Sequence, residues 1–188
     1  MRLVLASASP RRRELLSGLG VPFVVDPAHV DESIAAGTEP ETAALELAER
    51  KARTVAHRTT LPVLAADTIV AAADGGILGK PSSASEARSM LARLAGTTHR
   101  VITGVCLATD GGARLRTASG TTFVTMRPLA DEEIEAYAAS GEPFGKAGGY
   151  AIQEKGDRFV TRVDGSWTNV VGLPMELVEP LLAEAGVL

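Results

Sequence analysis

The sequence of 188 residues predicts an α/β protein built on a mixed β-sheet flanked by helices. Patterns typical of strands and of helices alternate through the first half of the chain, and strand patterns then follow one another directly. This order favours a sheet that contains both parallel and antiparallel strands. With 45% hydrophobic and 22% charged residues, the chain can bury a core of ordinary size. We therefore expect one domain that spans residues 1–188.

Charge and apolar patterning narrow the classes of function. The 19 basic and 23 acidic residues give a net charge of −4, which argues against a nucleic-acid-binding or membrane-surface protein. The apolar runs are too short for a signal peptide or a membrane span, so we expect a cytoplasmic protein. The single cysteine, Cys106, lies in an apolar run, which predicts a buried thiol.

A strand pattern over residues 3–6 meets a helix start at the N-terminus. Ser9 is a typical N-cap and Pro10 a typical first helical residue. Three arginines, residues 11–13, then occupy the positive end of the helix dipole, where each costs about 0.3–1 kcal/mol. The arrangement is favourable if an anion binds there, since arginine matches the geometry of phosphate. The alternative is a solvated basic turn.

The next segments predict a strand over residues 21–25, an acidic loop that contains Glu32, and a long helix. A capping box at residues 38–41 begins this helix, and its apolar periodicity continues to about Ala56. Lys51 falls on the apolar face. Its ammonium group either extends back to water along the helix surface or points into a cleft as a partner for phosphate or carboxylate.

Residues 61–73 form an apolar run that predicts a central strand, and Asp67 and Thr68 interrupt it. A carboxylate in a buried strand is costly unless it is paired, hydrogen-bonded or bound to metal. Because α/β sheets place chemistry at strand ends facing a cleft, we interpret Asp67 as a functional residue rather than a structural one.

Downstream, a glycine turn at residues 74–76 predicts a hairpin, Lys80 follows it, and a capping box at 83–86 begins a helix that ends at Gly96. The glycine-rich segment 145–153 allows close backbone approach to a ligand. The remaining predicted elements are strands over 99–108, 114–126 and 159–163 and helices over 131–139 and 175–185.

The polar residues in unusual positions are mostly cations and carboxylates. They are Ser7, Ser9, Arg11, Arg12, Glu32, Lys51, Asp67, Lys80, Lys146 and Gln153. The three histidines are scattered and lack cysteine partners, which makes a zinc site improbable. The set suits phosphoryl transfer to water, in which cations neutralise the phosphates and carboxylates hold Mg²⁺ or Mn²⁺ and activate water.

The motifs LASASPRRRELL, RKA, AADTIV, GKP, KAGGYAIQ and NVVGLP occur in this order over nearly the whole chain. In this combination the sequence resembles the Maf family of nucleotide pyrophosphatases. The resemblance implies an elongated α/β fold with a deep cleft between two lobes, and metal-dependent hydrolysis of a nucleoside triphosphate to the monophosphate and pyrophosphate. We also expect a homodimer.

The resemblance assigns roles to individual residues. It makes Asp67 the residue that activates water, with Glu32 as its companion at the Mg²⁺ or Mn²⁺ ion. The residues expected to bind substrate phosphates are Ser7, Ser9, Arg11, Arg12, Lys51, Lys80 and Lys146. Selectivity for dTTP and UTP is expected from Arg11, Thr68 and Gln153, since a Gln amide matches the donor and acceptor pattern of uracil and thymine.

Three positions depart from the family pattern: Gly145, Gly149 and Glu154. Glu154 adds negative charge beside the expected base pocket, so affinity or base preference is expected to differ.

An alternative function is a nucleotide-binding regulator of cell division, with slow or no hydrolysis. Release of pyrophosphate from a panel of triphosphates discriminates the two functions.

Overall fold

The structure is a computed structural model that describes residues 2–188. In this part of the chain, one seven-stranded sheet is flanked by six α-helices. The strands are β1 (Leu3–Leu5), β2 (Phe23–Val25), β3 (Val63–Ala71), β4 (Ile77–Leu78), β5 (Thr98–Thr109), β6 (Arg114–Met126) and β7 (Val160–Asp164). The helices are α1 (Pro10–Ser17), α2 (Pro40–Ala56), α3 (Ala84–Leu94), α4 (Asp131–Ala139), α5 (Trp167–Val171) and α6 (Met175–Glu184).

The sheet is mixed, as the sequence predicts. Its order is β2-β1-β3-β5-β6-β7, and the short β4 pairs with β3 off this path. Strand β1 runs parallel to β2 and β3, whereas β3–β5, β5–β6 and β6–β7 are antiparallel. Strand β3 is therefore central, and its register places Asp67 opposite Gly104 of β5.

The core is divided into clusters that support the two sides of a cavity. One cluster contains Val70, Leu91, Tyr137, Tyr150 and Phe159 and joins α3 and α4 to the sheet. Two other clusters pack α2 against β3 and β5. A further cluster packs α1 and α6 against β1, β3 and β5. Side chains of more than one cluster line the cavity described below.

The helix predictions are largely confirmed, but one cap is wrong. Helix α2 ends at Ala56 as expected, yet its N-cap is Glu39, which makes no side-chain cap hydrogen bond. The Thr38 hydroxyl instead donates to the carbonyl of Ala35 at 2.9 Å. In α3 the Ser83 hydroxyl does cap the helix, accepting from the backbone N–H of Glu86 at 3.1 Å.

One further expectation needs correction, and one helix was not predicted. Asp67 lies in the middle of β3 rather than at a strand end, because pairing with β5 continues on both sides of it. The short helix α5 was not predicted, although Ser166 caps it by accepting from the N–H of Asn169 at 3.1 Å.

Cys106 is buried as expected, and burial raises the pKa of its thiol to about 12. Among residues 2–188, the structure contains no helix with the length and hydropathy to cross a membrane.

Candidate active site

A cavity of about 490 Å³ opens beside the N-terminus of α1 and the middle of β3. This volume falls within the range of small-molecule sites. Every site residue expected from the sequence lines it: Ser7, Ser9, Arg11, Arg12, Glu32, Lys51, Asp67, Thr68, Lys80, Lys146 and Gln153. The acid of the central strand and the arginine-rich turn therefore face one common space.

A chain of alternating charges, partly buried and partly exposed, lines the cavity. Lys51 Nζ contacts Asp67 Oδ1 at 2.5 Å and Glu32 Oε1 at 2.6 Å, and Lys80 Nζ contacts Glu32 Oε2 at 2.8 Å. The Lys51 side chain is only 8% exposed. Of the two alternatives for this lysine, the structure therefore shows the one that points into the cleft.

The two lysines also change the titration of Glu32. Partial burial acts to raise the pKa of this carboxyl, but hydrogen bonds from Lys51 and Lys80 outweigh that effect and lower the pKa to about 2. Glu32 consequently stays ionised at neutral pH and balances part of the charge of both lysines.

The turn before α1 orients two hydroxyl groups. The Ser7 hydroxyl accepts from the backbone N–H of Ser9 at 3.2 Å and from Arg12 Nη1 at 3.2 Å. The Ser9 hydroxyl accepts from the backbone N–H of Arg12. Both hydroxyl groups therefore act as acceptors toward the protein and keep their protons for donation to an anion in the cavity.

Arg12 connects separate elements by hydrogen bonds. Its Nε donates to the carbonyl of Gly172 at 2.7 Å, Nη1 donates to the carbonyl of Ala66 at 2.8 Å, and Nη2 donates to Thr68 Oγ1 at 3.0 Å. With the Ser7 contact, four of the five N–H groups of the guanidinium are engaged. Burial lowers the pKa of Arg12, and Asp67 opposes that effect. This geometry leaves one N–H group of Arg12 for substrate.

A second charged group joins Glu154 to two residues that line the cavity, Lys146 and Arg11. Glu154 Oε2 contacts Lys146 Nζ at 2.7 Å, and Glu154 Oε1 lies 3.6 Å from Arg11 Nη1. Gln153 is exposed and faces the same space. Its amide makes no hydrogen bond to the side chains or backbone of residues 2–188, so both its donors and its acceptor are available.

Thr68 belongs to a hydrogen-bonded chain that leads away from the cavity. Its hydroxyl accepts from Arg12 and lies 2.9 Å from Thr103 Oγ1, which in turn donates to the backbone carbonyl of Asn169 at 3.0 Å. Since the single proton of Thr103 is used on that carbonyl, Thr68 donates to Thr103. The Thr68 hydroxyl therefore has only acceptor capacity left for a ligand.

Sequence reasoning missed one buried pair behind the site. His99 Nε2 lies 2.7 Å from the hydroxyl of Tyr150, which lines the cavity, while His99 Nδ1 has no partner among the described residues. Burial lowers the pKa of His99 to about 4 and raises that of Tyr150. Neither residue stands out in the sequence, because His99 begins an apolar strand and Tyr150 follows a glycine loop.

The carboxylates of the cavity can be compared with the ligands that the divalent metal implied by the resemblance would need. Within residues 2–188 there is no group of three His, Cys, Asp or Glu side chains able to enclose a metal ion. Mg²⁺, however, is commonly held by one or two carboxylates together with substrate phosphates. The carboxylates of Asp67 and Glu32 meet at the same ammonium group, which fits this second type of site.

Solved structures define the fold class to which this chain belongs. A HAM1 protein from Coxiella burnetii has a TM-score of 0.56 at 18% sequence identity and covers 98% of this chain and 99% of its own. A nucleoside-triphosphatase / dITP/XTP pyrophosphatase from Mycobacterium abscessus has a TM-score of 0.50 at 19% identity, covering 100% and 98%. The expected α/β fold of this type is confirmed.

The family follows from sequence. The Maf-like protein family model matches residues 2–185, and the chain therefore belongs to the Maf family. It is 52% identical over 175 residues to the dTTP/UTP pyrophosphatase of Salinibacter ruber, covering 92% of this chain and 85% of that protein. It is 53% identical over 188 residues to the dTTP/UTP pyrophosphatase of Thermomicrobium roseum, with coverage of 99% and 85%.

Proposed function

We propose that this protein hydrolyses dTTP and UTP to the monophosphate and pyrophosphate. The observation that carries the proposal is the position of Asp67, a 7% exposed carboxylate, in a cavity lined by five cationic side chains. These cations are Arg11, Arg12, Lys51, Lys80 and Lys146. They outnumber the carboxylates in and at the cavity, which are Glu32, Asp67 and Glu154. The site therefore favours a polyanion, and the names of the relatives support the same activity.

Asp67 is positioned to activate the attacking water. Its Oδ1 is held by Lys51, and Oδ2 makes no hydrogen bond to residues 2–188, so this second oxygen can accept a proton from water. Attack of that water on the α-phosphorus breaks the bond to the β-phosphate and releases pyrophosphate. Charge on the phosphate oxygens would be stabilised by Lys51, Lys80 and the hydroxyl groups of Ser7 and Ser9.

A divalent cation completes this proposal. Asp67 and Glu32 would hold Mg²⁺ or Mn²⁺, and the ion would supply Lewis-acid neutralisation of phosphate oxygens. The donor set described above supports this assignment, because Mg²⁺ takes its remaining ligands from substrate and water.

Base selection is proposed to depend on Gln153. Uracil and thymine present an N–H donor between two carbonyl acceptors, and a glutamine amide can pair with this pattern in two hydrogen bonds. Both bases share this edge, which accounts for the acceptance of dTTP and UTP alike. Arg11 is proposed to add selectivity from its position in the lining of the cavity. Thr68 is proposed to contribute through the hydrogen bond that it accepts from Arg12.

The test is release of pyrophosphate from the common nucleoside triphosphates, with and without EDTA, by wild type and Asp67→Asn. We expect turnover of dTTP and UTP that EDTA abolishes and Mg²⁺ or Mn²⁺ restores. Loss of the base should reduce turnover by about a hundred- to ten-thousand-fold, while binding of dTTP survives. Asp164→Asn, which removes an exposed carboxylate of β7, is the matched control. Full turnover by Asp67→Asn, or binding of all triphosphates without hydrolysis by wild type, would contradict the proposal.

We further propose that the chain forms a single domain. A single sheet that extends from β1 to β7 supports one domain over residues 1–188. Assembly as a homodimer and location in the cytoplasm stay predictions.

A further inference from the structure

Glu154 is ion-paired with two of the cationic side chains that line the cavity. Its two carboxylate oxygens face different partners, Lys146 at 2.7 Å and Arg11 at 3.6 Å. Lys146 belongs to the glycine-rich segment and Arg11 to the first turn of α1, so one carboxylate connects two chain segments that are distant in sequence. Glu154 itself is the most exposed member of the three, with 42% of its side chain accessible.

The two charged groups of the cavity differ in how tightly they are held. The side chains of Lys51 and Lys146 are buried to a similar degree, at 8% and 10% exposed, but Lys51 is shared by two carboxylates, of which Asp67 is only 10% exposed. Lys146 is paired with Glu154, which is 42% exposed. Exposed ion pairs contribute little free energy, and an incoming polyphosphate can replace one carboxylate with several phosphate oxygens. Exchange of the exposed Glu154 carboxylate for a phosphate group is therefore easier than exchange of the buried Asp67 carboxylate.

We propose that Glu154 is an internal competing anion that weakens the retention of polyphosphates by occupying Arg11 and Lys146. Nucleotide or pyrophosphate must displace this carboxylate to reach the two cations, and the carboxylate recovers them as the ligand leaves. This inference rests on the proposed function, because it takes Arg11 and Lys146 as phosphate-binding residues. It adds a residue that sets affinity without contacting the reacting atoms.

The direction of the effect separates this role from a structural one. If Glu154 mainly orders the two cations, then removing its charge should weaken the binding of polyphosphate. If it competes with the ligand, then removing its charge should strengthen binding. The variant Glu154→Gln keeps the length of the side chain and removes only the charge. The variant Glu154→Asp keeps the charge and should retain most of the weakening.

The experiment is calorimetric titration of the full-length protein with pyrophosphate, in the presence of Mg²⁺. We expect Glu154→Gln to bind pyrophosphate roughly two- to fivefold more tightly than wild type, in keeping with the strength of exposed ion pairs. The control is Asp157→Asn, which removes a carboxylate from the same loop, outside the lining of the cavity. It should bind pyrophosphate as wild type does, which excludes a general effect of net charge.

Three results would overturn the inference: unchanged affinity in Glu154→Gln, weaker affinity in that variant, or an equal gain in Asp157→Asn. The outcome is separate from the proposed function. Turnover of dTTP by the wild type tests the activity, whereas pyrophosphate titration tests Glu154 even if no triphosphate is hydrolysed. A second titration with an α,β-imido analogue of dTTP, which is not cleaved, should show the same gain in Glu154→Gln.

Discussion

Gly104 lies on β5 directly opposite Asp67, and the backbone of α2 passes close above it. A Cβ atom added at this position would lie 2.5 Å from the carbonyl carbon and oxygen of Ala44, and 2.7 Å from the backbone nitrogen of Leu45. These are backbone atoms of a packed helix, which cannot rotate away as a side chain can. For the Gly104→Ala variant, α2 must retreat by about 0.9 Å to restore an ordinary contact near 3.4 Å.

This movement has an energetic cost that the restricted unfolded chain offsets in part. Overpacking costs about 1–3 kcal/mol, and alanine returns about 0.4–1 kcal/mol by restricting the unfolded chain. The difference between the midpoints of these two ranges is a net loss of roughly 1.3 kcal/mol in the free energy of unfolding. Because α2 carries Lys51, the movement should also separate this lysine from Asp67. A displacement of this size can reduce turnover by up to about a hundredfold.

Urea denaturation and turnover of dTTP measure the two effects. The control for stability is Gly79→Ala, because the space around Gly79 is open and its backbone does not adopt a positive φ. If Gly104→Ala has the stability and turnover of wild type, then the close approach of α2 to β5 does not position Lys51. A loss of stability without any change in turnover would refute the link to the site but not the packing argument.

Two further predictions concern His99 and Gln153. The pKa of His99 is lowered to about 4 from 6.5, so the unfolded chain binds its proton first and stability is lost as the pH falls from 6.5 toward 4. Between pH 7 and pH 5 the wild type should lose about 2 kcal/mol of its free energy of unfolding through His99. In urea denaturation, His99→Gln should lack this part of the pH dependence. The same pH dependence in both proteins would contradict the prediction. Gln153→Ala should reduce the preference for dTTP over dCTP, measured as the ratio of kcat/KM values, by about two- to tenfold for each hydrogen bond lost. An unchanged ratio would remove Gln153 from base selection.

Local sequence signals predicted the elements that bury a regular apolar face. Helix α3 is an example, because Ala87, Met90, Leu91 and Leu94 recur at helical spacing and all four are buried. The same reasoning failed where a competing local hydrogen bond was available, as at Thr38, whose hydroxyl turns back to a preceding carbonyl. Helix α5 has only five residues, too few for a period to be recognised.

The sequence indicated which residues line the cavity, but not which of their side chains contact one another. An aspartate in an apolar strand and a lysine on an apolar helix face are both visible in the sequence, since each is costly without a partner. That Lys51 is the partner of Asp67 follows from the packing of α2 on β3, which residue spacing does not reveal. His99 and Tyr150 carried no signal, because their hydrogen bond forms between a strand and a loop that are distant in sequence.

The three consecutive arginines have different surroundings in the fold, although they form one sequence motif. All three begin α1, where the helix dipole disfavours positive charge. Arg13 is exposed, Arg11 lines the cavity and pairs with Glu154, and Arg12 points inward to the carbonyls of Gly172 and Ala66. The unfavourable position of Arg12 is offset by these acceptors, one of which is the carbonyl of Gly172 itself. This glycine ends α5 with a φ of +115°, and a Cβ there would lie 3.2 Å from Thr68 Oγ1 and 3.5 Å from Arg12 Nε. The sequence suggested that a bound anion explains the arginine cluster. Internal acceptors already account for Arg12, so a bound anion is needed to explain only the rest of the cluster.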